Sequence, residues 1–139
     1  MQVEIVRVQP DNLAVLDRVD PECFDAPIDP SRAARCVASP DVVLVVAVVN
    51  GMVIGQCLAR LHRHPDKATD LYVDDLAVSP VYQRNAIATR LVQACLAHGR
   101  EADALWVATE PDNEAARAFY RALGLELRDA LVFEGPAGT

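Results

Sequence analysis

A strand, a turn and the start of a helix follow one another near the middle of the chain, and together they could bind an anion. The apolar run 71–78 leads into a polar turn with Pro80, and residues 83–91 are mostly small and amphipathic. This order leaves the first N–H groups of the helix without intrahelical partners. With the helix dipole, such groups attract an anion, most often a phosphate. Since Arg84 and Arg90 add positive charge, the segment predicts a phosphate-bearing cofactor.

Three carboxylates near this segment are candidates for proton transfer or cation binding. Asp74 and Asp75 are adjacent, so in a regular strand they point to opposite faces. Only one of them can then face a given cleft, unless a bulge intervenes. Glu110 follows the next predicted strand, where it could bind a substrate ammonium, share the role of base or favour a helix start through the dipole.

Asn113 and Tyr120 are the other candidate functional pair. They stand seven residues apart, which is close to two helical turns, so their side chains share one helix face. Asn113 could also cap that helix. The neighbouring Phe119 is better suited to the core.

Two motifs resemble the GNAT N-acetyltransferase superfamily. Residues 83–88 read Gln-Arg-Asn-Ala-Ile-Ala, similar to the acetyl-CoA signature Arg/Gln-x-x-Gly-x-Gly/Ala. Residues 113–124 resemble the helix Asn-x-x-Ala-x-x-x-Tyr-x-x-x-Gly that closes the CoA site in that superfamily. Both motifs stand in the family's order and spacing, so the resemblance spans at least residues 41–133. Residues 72–78 most resemble the aminoglycoside 3-N-acetyltransferase branch.

The resemblance implies acetyl-CoA as co-substrate and a role for each site residue. Asp75 matches the position of the base, Tyr120 would donate a proton or hydrogen bond to the departing thiolate, and Glu110 matches an acidic position in aminoglycoside-modifying relatives. The Val78 N–H would hydrogen-bond the thioester carbonyl. The implied cofactor-binding residues are Leu76, Ala77, Val78, Gln83, Arg84, Asn85, Ala86, Ile87, Ala88, Thr89, Asn113 and Tyr120.

One position departs from the family pattern. The first motif glycine is Ala86 in this chain, whereas Ala88 fills a position where the family allows alanine. Glycine permits positive φ and the closest backbone approach to a pyrophosphate. Alanine suits the position if Ala86 has helical φ and ψ, because alanine is the best helix former.

The elements that must position these residues follow from periodicity and turn residues. Asn50-Gly51 between two apolar runs is the strongest hairpin signal. We expect strands at 3–8, 42–49, 52–61, 70–78, 104–109 and within 125–133, and helices at 11–19, 30–37, 86–98 and 113–123. This pattern predicts an α+β (mixed α/β) fold. The resemblance implies the GNAT acyl-CoA N-acyltransferase fold, a central, mostly antiparallel twisted sheet with helices on both faces, in which the strands ending near Val78 and Thr109 splay apart around acetyl-CoA.

Length and composition bound the function. The chain has 139 residues, which suits one domain covering 1–139, and a net charge of −7. That charge argues against a nucleic-acid partner and is compatible with a cationic substrate or with solubility alone. The longest apolar run, 42–49, is too short to cross a membrane, and the first residues do not resemble a signal peptide, so we expect a cytoplasmic protein.

The remaining reactive residue types have simpler interpretations. The four cysteines form no metal-binding pattern, so we expect free and mostly buried thiols and no metal. His98 near a helix end is expected to be a charge partner for that end, whereas His62 and His64 could form the rim of an acceptor site. Trp106 is expected to fill the core.

We therefore expect an N-acetyltransferase acting on the primary amine of a small cationic acceptor, with an aminoglycoside as the favoured class. A polyamine, an amino-acid derivative and a protein α-amine are alternative acceptors. Two other classes stay open: a GNAT-fold acyl-CoA-binding module or sensor without transferase activity, and a protein-interaction domain. A homodimer, common among relatives, is the macromolecular partner that the resemblance allows.

Overall fold

The computed structural model describes residues 2–138, and the chain divides after Ala108 into two compact units. The first unit contains five strands, β1 (Glu4–Val8), β2 (Val42–Val49), β3 (Met52–His62), β4 (Asp70–Val78) and β5 (Ala104–Val107), and two helices, α1 (Pro30–Ala38) and α2 (Ile87–His98). The second unit contains helix α3 (Glu114–Ala122).

The sheet has the strand order β1-β2-β3-β4-β5, in which every neighbouring pair is antiparallel except the last. β4 and β5 are parallel, with partners running from Asp70↔Ala104 to Val73↔Val107. The predicted hairpin joins β2 to β3, and both of its turn residues, Asn50 and Gly51, have positive φ. The sheet is therefore mixed and mostly antiparallel, as expected.

Helices cover both faces of this sheet, which explains why β2 is apolar on both sides. On one face, Val37 of α1 and Leu16 pack with Leu44 and Val46 of β2. On the other face, α2 lies across β3, where the Cys95 Sγ contacts the Cys57 carbonyl. The alternation of side chains along a strand requires this arrangement, since successive residues of β2 must be buried by different helices.

The end of β4 has an unpaired edge. Pairing with β5 stops at Val73, whereas pairing with β3 continues to Val78. Within the described chain, no strand therefore pairs with the outer edge of residues 74–78. The two strands part at the place where the resemblance implied a splayed pair.

Two expected elements differ in the structure. The predicted helix at 11–19 is a short 3-10 helix, Leu13–Asp17, and the preceding residue, Asn12, makes no side-chain cap. The predicted strands within 125–133 are wrong, because residues 125–133 have no regular secondary structure in the described chain. Leu131 and Phe133 are exposed there, so the apolar pattern of the segment is not matched by burial within this chain.

Candidate active site

A bulge brings Asp74 and Asp75 to the same face of the sheet. The register of β3 and β4 shifts so that Leu58 faces Asp75 and Ala59 faces Val73, which leaves Asp74 without a cross-strand partner. Arg60 Nε donates to Asp74 Oδ2 at 2.8 Å, and Gln56 Nε2 donates to Asp75 Oδ2 at 2.8 Å. Gln56 and Arg60 are an even number of residues apart on β3, so their side chains lie on the same face of the sheet. We expected Asp74 and Asp75 to point to opposite faces unless a bulge intervened. The bulge is present, so both carboxylates lie on one face.

The surroundings of the two carboxylates differ. Asp74 forms an ion pair with Arg60 in which both side chains are about 40% exposed, at 38% and 41%. Burial is the largest cause that raises the pKa of Asp75, and the negative charges of Asp25 and Asp74 raise it further. The hydrogen bonds from Gln56 and from the Leu76 backbone oppose that rise. Of the two carboxylates, Asp75 is thus the one whose burial favours the uptake of a proton.

Gln56 is a site residue that sequence reasoning missed. Its side chain is fully buried, and its Nε2 donates both to the Cys23 carbonyl at 3.0 Å and to Asp75. Its Oε1 has no hydrogen-bond partner among the described residues. The available signal was a glutamine inside the apolar run of β3, a position where a polar residue needs a partner.

The backbone at the end of β4 presents an N–H to the unpaired edge. The Ser79 N–H points towards β3, because it donates to the Ile54 carbonyl at 2.8 Å. Consecutive N–H groups of a strand point to opposite sides, so the Val78 N–H points away from β3. It therefore lies on the edge that β5 leaves unpaired.

The turn that follows is held in a left-handed conformation. Arg84 has φ +70° and Ala86 has φ +58° with ψ +18°. The condition under which alanine suits this position, helical φ and ψ, is therefore not met. Gln83 Nε2 donates to the Val78 carbonyl at 3.0 Å and so ties the turn to the strand end, whereas Asn85 Nδ2 donates to the Tyr82 carbonyl within the turn.

Helix α2 begins directly after this turn. Its first backbone hydrogen bond runs from the Arg90 N–H to the Ala86 carbonyl at 3.1 Å. The preceding N–H groups, those of Ile87, Ala88 and Thr89, have no backbone partner within residues 2–138. The Arg90 guanidinium donates to the Val3 carbonyl beside the outermost strand, and that its charge favours an anion at the turn stays a prediction.

The second unit carries the other predicted residues. Asn113 caps α3, since its Oδ1 accepts a hydrogen bond from the Ala116 N–H at 3.0 Å. Tyr120 is half-buried, and its ring packs edge-to-face against Phe119 with centroids 5.1 Å apart. Glu110 is exposed, and its carbonyl accepts the Asn113 N–H. Glu110 thus lies just before the helix start.

An acidic cavity of about 350 Å³ lies in the segment between the 3-10 helix and α1. Asp17, Asp20 and Asp25 supply its charge, and Phe24 and Ile28 are among its apolar lining residues. A turn-rich composition gave no sign of a cavity, because the lining forms only when this segment folds over the sheet.

An aromatic cluster lies on the same sheet face as Asp75, towards the start of β4. The rings of Tyr72 and Trp106 are 4.2 Å apart, and His62 stacks on Tyr72 at 5.8 Å. Asp70 accepts a hydrogen bond from Trp106 Nε1 at 2.7 Å and is paired with His62 and His64. Since Trp106 is 42% exposed, the expectation that it fills the core is wrong.

The histidine at the end of α2 is also not the helix-end charge partner that we expected. His98 Nδ1 lies 3.5 Å from the Arg7 guanidinium. Burial and the charge of Arg7 lower the pKa of His98, so its charged form is disfavoured.

The cysteines are free thiols, as expected, and three of them, Cys23, Cys57 and Cys95, are buried. Burial and Asp20 raise the pKa of Cys23 to about 11, and the pKa of Cys57 is raised by its hydrogen bond with Cys95 and by burial. Thiols of this kind are poor nucleophiles. Residues 2–138 contain no group of three or more His, Cys, Asp or Glu side chains placed to hold a metal ion. No helix in that range is long and apolar enough to span a membrane.

Solved structures share this fold at low sequence identity. An aminoglycoside acetyltransferase, HMB0005, from an uncultured soil metagenomic sample has a TM-score of 0.80 at 22% identity, with 99% of this chain and 100% of that chain covered. AAC(6')-Iy in complex with the bisubstrate analog CoA-S-monomethyl-acetylneamine has a TM-score of 0.81 at 16% identity, with 98% and 99% covered. These similarities show the fold.

Two curated proteins are similar in sequence. N-alpha-acetyltransferase 30 of Schizosaccharomyces pombe is 37% identical over 81 residues, 57% of this chain and 54% of the relative. N-alpha-acetyltransferase RimI of Mycobacterium tuberculosis is 31% identical over 103 residues, 73% of this chain and 63% of the relative. The chain thus spans less than two thirds of either relative. The model of the acetyltransferase (GNAT) family matches residues 11–125, across both units. The chain therefore belongs to the acetyltransferase (GNAT) family.

Proposed function

We propose that the chain is an acetyl-CoA-dependent N-acetyltransferase that acts on the primary amine of a small cationic acceptor. One observation carries this proposal: within four residues, β4 presents the partly buried carboxylate of Asp75 and the outward Val78 N–H. A proton acceptor next to a backbone donor on an open strand edge is what acyl transfer to an amine requires.

The residues after β4 fit the phosphate-bearing part of acetyl-CoA. The unpaired N–H groups at the start of α2 and the side chain of Arg84, which belongs to the same turn, can hold an anion without displacing any backbone hydrogen bond of the helix. The outer edge of Leu76, Ala77 and Val78 can pair with an extended amide-containing arm as an added strand would. Acetyl-CoA supplies the activated acetyl thioester.

Asp75 would prepare the acceptor for attack. An ammonium group must lose a proton before its nitrogen becomes a nucleophile, and Asp75 would take that proton directly or through a water molecule. Its raised pKa brings the carboxylate closer to the pKa of a useful base at neutral pH. The Val78 N–H would donate to the carbonyl oxygen as negative charge develops there.

The family resemblance assigns roles to three residues of the second unit. Tyr120 would donate a proton or hydrogen bond to the departing thiolate, and Asn113, besides capping α3, would bond the pantetheine arm. Glu110 would bind a second ammonium group of the acceptor or share the role of base. The capping bond fixes the start of the helix that carries Tyr120, so this unit presents the tyrosine on a defined helix face.

Electrostatics supports a cationic acceptor. The cavity beside the sheet holds three carboxylates, and Asp25 is close enough to Asp75 to raise its pKa. The chain as a whole carries a net charge of −7. An aminoglycoside is the first candidate, supported by the fold neighbours that are aminoglycoside acetyltransferases. The narrower 3-N branch stays a prediction, and one neighbour is an AAC(6') enzyme.

A protein α-amine is the second candidate acceptor. It is favoured by the two curated relatives, both N-alpha-acetyltransferases. A polyamine or an amino-acid derivative would fit the same charge. We further propose a single functional domain over residues 1–139, since the family match spans both units, and a cytoplasmic protein that functions alone or as a homodimer, with neither nucleic acid nor membrane as partner.

The experiment is an assay of thiol release from acetyl-CoA across a panel of aminoglycosides, polyamines and peptides with a free N-terminus. Turnover that falls at least a hundredfold in Asp75→Asn and falls in Tyr120→Phe is the expected result. Asp74→Asn is the matched control, because Asp74 is the adjacent carboxylate on the same face and is paired with Arg60. Acetyl-CoA binding by calorimetry without turnover on any amine would instead favour the sensor, and absence of binding would favour an interaction domain.

A further inference from the structure

The side chain of Gln56 joins three parts of the molecule. It arises from β3, its Nε2 donates to Asp75 on β4, and the same nitrogen donates to the Cys23 carbonyl in the segment beside the acidic cavity. Both N–H bonds of the amide are therefore in use. Among the described residues, Gln56 is the one side chain that is hydrogen-bonded both to the Cys23 segment and to Asp75.

The two acceptors determine how the amide is oriented. A carbonyl and a carboxylate both require a donor, so a flipped amide would place Oε1 against two oxygens. The orientation that satisfies them leaves Oε1 buried and without a partner in residues 2–138. An unpartnered buried acceptor is unfavourable, so its presence in the core calls for an explanation.

The Cys23 end of this link is firmly anchored. The Cys23 N–H donates to the Asp20 carbonyl, and the Asp20 N–H donates to the Val53 carbonyl of β3 at 2.9 Å. Cys23 is 1% exposed. Because the segment is tied to the sheet at this point, the Cys23 carbonyl is a fixed point that holds the Gln56 amide in position.

The Cys57 thiol lies on β3, and the charge of Asp75 is one of the causes that raise the pKa of that thiol. Two carboxylates act against the ionised form of Asp75: Asp74, its neighbour on β4, and Asp25, from the cavity segment. Against these and against burial, the Gln56 amide is the side chain that donates to the carboxylate.

We propose that Gln56 is a positioning residue for Asp75: by linking this carboxylate to the Cys23 carbonyl, it fixes the direction of the carboxylate and favours its ionised form. This inference rests on the proposed function, because it assigns Gln56 a role through Asp75 as base. It also explains why a glutamine is buried in β3, where apolar packing alone would not require an amide.

The test compares Gln56→Met with wild type, since methionine has a similar length and no donor. Carboxyl NMR titration should show the pKa of Asp75 raised by about one unit, because the hydrogen bond to its charged form is lost. The acid limb of kcat/KM against pH should move up by the same amount, so activity below that limb falls about tenfold. At high pH, where Asp75 is ionised in both proteins, the difference should be smaller.

Two further variants control for packing and folding. Leu58→Met changes a neighbouring β3 side chain to the same residue type and leaves both Gln56 hydrogen bonds in place, so it should not shift the titration. Gln56→Glu places a second carboxylate against Asp75, and the pair should titrate in two separated steps. It keeps the test decisive if Gln56→Met fails to fold.

An Asp75 titration that is unchanged in folded Gln56→Met, or in Gln56→Glu, overturns the proposal. The NMR readout needs no acceptor, so it separates the two claims. If wild type acetylates no amine but Gln56→Met still shifts the titration of Asp75, the proposed function is removed. The link between Gln56 and Asp75 is then supported independently.

Discussion

Replacing Ala86 by glycine should stabilise the protein. Ala86 has φ +58°, in the left-handed region, and its side chain is exposed. An L-residue with a Cβ loses about 1–2 kcal/mol in this conformation, whereas glycine adopts it freely. Glycine also gives the unfolded chain more freedom, which costs about 0.4–1 kcal/mol. Removing an exposed methyl group changes little else, so the expected gain is about 0.5–1 kcal/mol.

Urea denaturation followed by circular dichroism measures this change. The midpoint should rise with an unchanged slope, and the melting temperature should rise by about 2–4 °C for a chain of this size. Ala94→Gly is the matched control, since Ala94 lies in the middle of α2 with helical geometry. There glycine should destabilise by about 1 kcal/mol. The same substitution should thus have opposite signs at two positions eight residues apart.

A loss of stability in Ala86→Gly, alongside the expected loss in Ala94→Gly, would refute the argument that alanine is strained in this turn. Calorimetry with CoA adds a separate readout. Under the proposed function, removing the methyl group beside the unpaired N–H groups should tighten binding and leave the acceptor range unchanged. Weaker binding would show that the alanine conformation is itself required.

Three further predictions concern stability. Asp75→Asn should be at least as stable as wild type at pH 7. Because the folded pKa of Asp75 is raised, wild type loses stability as pH rises through that pKa. Urea denaturation from pH 4 to 8 should therefore show this fall in the free energy of unfolding only in wild type. Asp70→Asn should be less stable at pH 7, because His64, Trp106 and the other partners lower the folded pKa of Asp70, and equal unfolding free energies at that pH would contradict this. The Asp70 contribution, present above its unfolded pKa of about 3.9, should vanish as pH falls through the folded value, so the two proteins should converge in acid. Gly124→Ala should cost about 1 kcal/mol, since Gly124 has φ +92° with no atom within 4 Å of an added Cβ; an unchanged midpoint would mean that its backbone relaxes without cost.

Local patterns predicted most of the elements. The Asn50-Gly51 hairpin, strand β4 and helices α2 and α3 each depend on periodicity and turn residues within a short window, and each is present close to its expected bounds. The cap by Asn113 follows from the same kind of local chemistry. These features need no knowledge of distant residues, so sequence reasoning reached them.

The features that failed depend on long-range pairing. Whether Asp74 and Asp75 share a face is decided by the register between β3 and β4, which neither strand encodes alone. The partners of Gln56 come from two other segments, and the exposure of Trp106 depends on which neighbours cover the end of the sheet. The left-handed Ala86 is a different case, because alanine gives no sign of positive φ where glycine would.

The position of Trp106 gives the protein a built-in optical probe. It is the one tryptophan in the sequence, so the whole tryptophan emission arises at one point on β5. Its indole is 42% exposed, donates to Asp70 and lies 4.2 Å from the Tyr72 ring, on the sheet face that carries Asp75. A molecule that covers this face changes the solvent around a single fluorophore. Unlabelled protein can therefore report acceptor binding by emission alone, even when no acetyl group is transferred.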